Sequence, residues 1–103
     1  MADKNSSKNK ILVKPKKKVV KKQFIIKNKL GLHARPAALF VQIANKFTSY
    51  ITVEKGRQKV NGKSIMGILM LAADCGSQIV VTADGHDAEA AIGELERLVT
   101  SDE

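Results

Sequence analysis

The stretch that decides the fold is residues 24–47, FIIKNKLGLHARPAALFVQIANKF. It begins with an apolar, strand-like run and turns at Gly31. It then continues with apolar residues at helical spacing, namely Ala37, Phe40, Val41, Ala44 and Phe47. Pro36 suits the first turn of a helix, which has no use for its missing N–H. The pattern predicts a strand, a tight turn and an amphipathic helix in direct succession.

The rest of the chain extends this pattern to seven elements. Residues 50–54 and 58–60 form strand-like runs joined around Gly56, and residues 78–83 form a β-branched strand. Ser64 opens a short helix that reaches about residue 73, and a final helix is marked by Ala88, Ala91, Ile92, Leu95 and Val99. The order βαββαβα predicts an α+β open-faced sandwich, with a four-stranded antiparallel sheet covered on one face by three helices.

Charge divides the chain into two parts. Residues 1–22 contain nine lysines and one acid, for a net charge of +8, whereas residues 23–103 contain nine basic and nine acidic residues and are neutral. We therefore expect a Lys-rich, disordered extension over 1–22 and a folded domain over 23–103. The extension fits either a solvated appendage or a weak electrostatic tether to RNA, an acidic partner or a membrane surface.

Composition excludes several classes of protein. A single cysteine, Cys75, rules out an intramolecular disulfide framework and favours a reducing compartment. No apolar stretch is long enough to span a bilayer, and the N-terminus lacks the pattern of a signal peptide, so we expect a cytoplasmic protein. His86 has no companions at metal-ligand spacing and is interpreted as a surface turn residue, so we expect neither a metal site nor a cofactor.

His33 is the strongest candidate for chemistry. It stands between the first strand and the first helix, with Arg35 two positions later. Backbone N–H groups at a helix start lack intrahelical partners and favour anions, so the amides of Ala34 and Arg35 could hold a phosphoryl group. A neutral imidazole placed there can accept a phosphoryl group, with Arg35 stabilising its charge. These residues predict a phosphoryl-carrying histidine.

The heptapeptide at residues 31–37, GLHARPA, resembles the active-site signature of the HPr family of histidine phosphocarriers. A second block at residues 63–67, KSIMG, resembles the regulatory-serine segment of that family and follows at the expected spacing. The resemblance runs from about Gln23 to the end of the chain. It implies the same βαββαβα fold that the pattern predicts.

The resemblance also implies a function. His33 would accept a phosphoryl group, on Nδ1 in the family, from phospho-enzyme I and pass it to sugar-specific IIA components of the bacterial phosphotransferase system. Such a protein is a carrier rather than an enzyme. Ser64 would be phosphorylated by an HPr kinase/phosphorylase, and it also suits a helix N-cap. A purely regulatory homologue and a nucleic-acid-associated module built on the lysine extension remain alternatives.

The Ser64 helix is apolar on more than one side. Ile65, Ile68, Leu69 and Ala72 form a stripe that is sufficient for packing, which leaves further apolar side chains for solvent. An exposed apolar patch commonly marks a partner site, and methionine adapts to several partners. We expect Ile65, Met66 and Met70 to form a docking surface for enzyme I and IIA proteins on a monomeric protein.

Overall fold

The computed structural model describes residues 18–101 and has the predicted element order. The chain of elements is β1 Val19–Ile25, α1 Ala34–Ala44, β2 Tyr50–Lys55, β3 Gln58–Asn61, α2 Ile65–Met70, β4 Gln78–Asp84 and α3 Ala88–Val99. The four strands form one sheet in the order β1-β4-β2-β3, and every neighbouring pair is antiparallel. The α+β open-faced sandwich is confirmed.

Burial alternates along the strands, as a sheet with one covered face requires. In β2 the side chains of Ile51 and Val53 are buried, whereas Tyr50 on the opposite face is largely exposed. The covered face meets apolar side chains from all three helices, and together they form the core: Phe24, Phe40, Ile68, Val81 and Leu95 are among its members. The sheet thus holds the helices in one layer.

Strand β1 begins at Val19, four residues before the predicted domain start at Gln23. Residues 19–22 therefore belong to the sheet, where they pair with β4, and not to the predicted disordered extension. Lys22 Nζ lies 2.8 Å from Glu96 of α3, and Lys18 Nζ, one residue before the strand, lies 3.1 Å from Glu89 of the same helix. The aliphatic part of a lysine side chain can lie against a sheet while its ammonium group reaches a carboxylate or solvent. A high lysine content therefore does not exclude a strand. Residues 1–17 of the predicted extension lie outside the described residues.

Helix α2 buries a narrower face than the sequence indicates. Ile68 and Leu71 are fully buried, whereas Ile65, Leu69 and Ala72 of the predicted stripe are exposed. The helix is only six residues long, and Ile68 is its one buried member, while Leu71 is the C-cap residue that follows it. The prediction that part of this apolar helix stays exposed is correct. The predicted buried stripe is correct for Ile68 and wrong for Ile65, Leu69 and Ala72.

Helix α3 begins at a carboxylate that ties it to the segment before β2. Asp87 accepts hydrogen bonds from the backbone N–H groups of Thr48 and Ser49, at 2.9 and 3.0 Å, and from both hydroxyl groups. The Ser49 hydroxyl and the Thr48 amide are the main causes that lower the pKa of Asp87 to about 2. The Asp87 carboxylate therefore has a structural role: its hydrogen bonds join the start of α3 to the segment before β2.

Candidate functional site

The loop between β1 and α1 lies directly against the loop that follows α2. Gly31 has a φ of +68°, and a Cβ there would lie 2.5 Å from the carbonyl oxygen of Ala73 and 2.8 Å from Cα of Asp74. The N–H of the next residue, Leu32, donates to that same Ala73 oxygen at 2.8 Å. Both the backbone conformation and the close approach therefore require glycine at residue 31.

His33 is the N-cap residue of α1, and its ring faces outward. Its backbone is extended, with φ −87° and ψ −163°, and its carbonyl oxygen accepts the N–H of Ala37 at 2.7 Å. The imidazole makes no capping hydrogen bond, and its side chain is 64% exposed. The structure thus leaves the ring accessible at the point where the helix presents its first amides.

The side chains of Arg35 and His33 lie next to different groups. It is exposed, and it contributes to a cleft of about 390 Å³ between the start of α1 and the end of α3, lined by Asn28, Leu30, Arg35, Pro36, Leu39, Leu98 and Ser101. His33 Nε2, in contrast, faces the carboxylate of Asp74. The two predicted site residues share the helix start, but their side chains have different surroundings.

The start of α1 has the features of an anion site. The N–H groups of Ala34 and Arg35 belong to the first turn, where helical geometry supplies no intrahelical acceptor. The helix dipole and the Arg35 guanidinium add positive potential at the same end. A phosphoryl group on the His33 ring would lie at this positive end of the helix.

Ser64 is the N-cap of α2, as the sequence predicts. Its Oγ accepts a hydrogen bond from the N–H of Gly67 at 3.1 Å, and its side chain is partly buried. A Cβ on Gly67 would lie 3.1 Å from Cβ of Val60, so the helix start is closely packed on β3. The hydroxyl is thus held at a helix start that also favours an anion.

The three predicted docking residues are all exposed. Met66 and Met70 expose 65% and 62% of their surface, and Ile65 is exposed as well. Leu69 on the same helix and Leu39 on α1 are further exposed apolar residues, and α1 and α2 are in contact. Exposed apolar side chains therefore occur on both helices.

Asp74 is the residue near His33 that sequence reasoning missed. Its Oδ1 lies 3.8 Å from His33 Nε2, although 41 positions separate the two residues. Nothing in the local pattern around Asp74 pointed to this contact, since it depends on how the two loops meet.

Among residues 18–101 no cluster of three or more His, Cys, Asp or Glu side chains suits a metal ion, and no helix there is long and apolar enough to cross a membrane.

A family model described as "PTS HPr component phosphorylation site" matches residues 20–101. The chain belongs to the HPr family. The matched segment contains every described element apart from the first residue of β1, so the HPr fold and the described domain coincide.

Individual relatives carry two names. The HPr-like protein Crh of Halalkalibacterium halodurans is 53% identical over 77 residues, which cover 75% of this chain and 92% of that protein. The crystal structure of the phosphocarrier protein HPr from Bacillus anthracis is 51% identical, with a TM-score of 0.77, and the match covers 79% of this chain and 96% of that one. Crh of Bacillus subtilis, described as a domain-swapped, intertwined dimer, is 47% identical with a TM-score of 0.65, covering 75% and 88% of the two chains. The chain is thus similar to HPr and to Crh proteins alike.

Proposed function

We propose that this protein is a phosphocarrier of the bacterial sugar phosphotransferase system. His33 accepts a phosphoryl group from phospho-enzyme I and passes it to sugar-specific IIA proteins or domains. The backbone amides of Ala34 and Arg35 hold the phosphoryl oxygens, and the Arg35 guanidinium balances their charge. The protein acts as a carrier and not as an enzyme with turnover on a small molecule, and it works in the cytoplasm, where sugar phosphates are formed and used.

One observation carries the proposal: the His33 ring is exposed at the start of α1 and takes no part in capping that helix. A histidine serving the fold would be expected to cap the helix or to lie in the core. The ring instead is exposed to solvent at an end of the helix that favours anions. Membership of a family whose model is named for its phosphorylation site adds to this support.

The decisive experiment is phosphoryl transfer from phosphoenolpyruvate through a bacterial enzyme I, followed by intact-mass analysis. We expect one acid-labile phosphoryl group that maps to His33. His86, which is also exposed, offers a matched control, so His86→Gln should be phosphorylated as fast as the parent. A folded protein that accepts no phosphoryl group from its cognate enzyme I would refute the proposal.

A regulatory role is the second candidate, and the similarity to Crh proteins favours it. In that role the phosphorylation state of the protein, on His33 or on Ser64, would report metabolic status without supporting sugar import. Transfer from phosphorylated His33 to a panel of IIA domains separates the two functions. A carrier loses its phosphoryl group to an IIA domain within seconds to minutes, whereas a purely regulatory protein keeps it.

We further propose that the exposed apolar residues of α2, Ile65, Met66 and Met70, dock enzyme I and IIA proteins. Met66→Glu should slow both transfers because it places a charge in an apolar contact that excludes water. Tyr50→Glu is the matched control, since Tyr50 is 81% exposed on the opposite, open face of the sheet. Unchanged transfer rates in Met66→Glu would exclude docking at this position.

We expect the carrier to be a monomer in solution. The covered face of the sheet is completed by helices of the same chain, so the fold needs no second copy to bury its core. Sedimentation equilibrium measures this directly. A concentration-independent dimer would place the protein with the dimeric form described for Crh of Bacillus subtilis.

A further inference from the structure

The carboxylate of Asp74 stands beside one nitrogen of the candidate acceptor. Asp74 Oδ1 lies 3.8 Å from His33 Nε2, and the two side chains are 78% and 64% exposed. This is a distance for an ion pair and is longer than a hydrogen bond. The Nε2 edge of the imidazole ring therefore faces a negative charge, and the Nδ1 edge is the one available for phosphoryl transfer.

The backbone holds this pair in place. Leu32, next to His33, donates its N–H to Ala73, next to Asp74, at 2.8 Å. Gly31 has no side chain, and only that lets the two segments approach, because a Cβ there would lie 2.8 Å from Cα of Asp74. On its other side, Asp74 accepts the N–H of Ser77 through its carbonyl oxygen at 2.9 Å. The carboxylate is therefore presented by a loop that is anchored at both ends.

We propose that Asp74 is a positioning residue for phosphoryl transfer at His33. The carboxylate favours the tautomer in which Nε2 carries the proton, since Nε2 lies 3.8 Å from its negative charge. The lone pair is then on Nδ1, which becomes the nucleophile. The inference rests on the proposed function, because it deals with the same histidine.

The charge changes during transfer give Asp74 a second effect. The Nδ1 lone pair forms a bond to phosphorus, and the bond from phosphorus to the donor atom breaks, with its electron pair leaving on the donor. Nε2 keeps its proton throughout, so the ring gains positive charge as the new bond forms. A carboxylate beside Nε2 stabilises that developing charge, as an acid that orients a histidine base does elsewhere. Because both side chains are exposed, we expect an effect of about two- to fivefold.

Two measurements test this inference, and neither needs enzyme I. Both use a His86→Gln background, so that His33 is the one histidine observed. Nitrogen-15 NMR of the ring gives the ratio of the two neutral tautomers. Phosphoramidate then serves as a small phosphoryl donor: Nδ1 attacks phosphorus, the phosphorus–nitrogen bond breaks, and ammonia leaves with the bonding pair.

The variants separate charge from shape. Asp74→Ala should raise the fraction of the Nδ1-protonated tautomer and lower the rate of phosphorylation by about two- to fivefold. Asp74→Asn keeps the shape but not the charge and should resemble Asp74→Ala in rate, whereas Asp74→Glu should recover most of the rate. Glu89→Gln is the matched control: it removes an exposed acid, paired with Lys18, at the other end of α3 from the Arg35 cleft.

Three results would overturn the inference. One is a tautomer ratio that is equal in Asp74→Ala and the parent. Another is a faster reaction in Asp74→Ala, which would mean that the carboxylate mainly repels the incoming phosphoryl group. The third is an equal change in Glu89→Gln. If the Asp74 effects are found but enzyme I phosphorylates no version of the protein, the proposed function fails and the role of Asp74 stands.

Discussion

The starts of α1 and α3 use their polar side chains in opposite ways. At α1 the His33 imidazole caps nothing and is largely exposed. At α3 the Asp87 carboxylate accepts two backbone N–H groups and two hydroxyl groups from Thr48 and Ser49. A side chain whose hydrogen-bonding capacity is used by the fold stabilises it, whereas one left in solvent at an anion-favouring helix start is free for chemistry. Substitutions at the two starts should therefore have opposite consequences.

His33→Ala should give the largest effect, a complete loss of phosphoryl acceptance from phospho-enzyme I. Because the ring is exposed and caps nothing, the free energy of unfolding should change by no more than about 0.5 kcal/mol. Mass analysis after reaction and denaturant unfolding measure the two quantities. An acid-labile phosphoryl group retained in this variant would remove His33 from the proposed function.

Asp87→Asn should show the reverse, with phosphoryl acceptance kept and stability lowered. The pKa of Asp87 is about 2 in the folded state, below its ordinary value of 3.8, so the ionised carboxylate favours folding. That contribution is fully present above about pH 4 and is lost as the pH falls towards 2.

Denaturant unfolding from pH 7 to pH 2 checks this prediction. The difference in stability between the parent and Asp87→Asn should be constant near neutral pH and should shrink below pH 4. Comparing the two proteins cancels the titration of the other carboxylates. A difference that does not change with pH would mean that the Asp87 hydrogen bonds do not depend on its charge.

Gly31→Ala should weaken the junction that supports the α1 start. Alanine there must adopt a φ of +68° and also place its Cβ against Ala73 and Asp74, so we expect a loss of roughly 1–3 kcal/mol. Gly56→Ala is the matched control, because Gly56 has a φ of +59° but a Cβ added there would meet no other described group within 4 Å. The difference in unfolding free energy between the two variants measures the close approach alone. Equal losses would show that only the backbone angle requires glycine at residue 31.

The order of elements was predictable because each is encoded locally. The apolar spacing from Ala37 to Phe47 and the alternation in β2 both follow from side chains that face one core. The start of β1 was misplaced because the lysines of residues 19–22 look like part of a solvated tail. The partner of Lys22 on α3, Glu96, is distant in sequence.

The arrangement of the candidate site was predictable only in part, for a similar reason. His33, Arg35 and Ser64 stand in short motifs at helix starts, where local chemistry points to anions. Asp74 has no such motif, and its contact with His33 exists only once the loops carrying Gly31 and Ala73 meet. The exposed stripe of α2 was likewise decided by how one short helix lies on the core. A local sequence pattern can identify candidate residues that lie within one short motif. It cannot identify a residue, such as Asp74, that the fold brings close from a distant part of the sequence.

Ser64 lies between the two extremes, since its hydroxyl caps α2 and is also the proposed target of a kinase. Ser64→Ala removes the acceptor for the Gly67 N–H and should cost about 0.5–2 kcal/mol, with phosphoryl acceptance at His33 unchanged. Ser64→Thr keeps a capping hydroxyl and should recover most of that stability.

The parent, treated with HPr kinase/phosphorylase and ATP, should gain one acid-stable phosphate that maps to Ser64. The hydroxyl already lies at a helix start, so the added phosphate would meet the same amides and favourable dipole. If Ser64 stays unmodified under these conditions, its role is structural, like that of Asp87. The start of α1, at His33, would then be the only one of these three helix starts that takes part in phosphoryl chemistry.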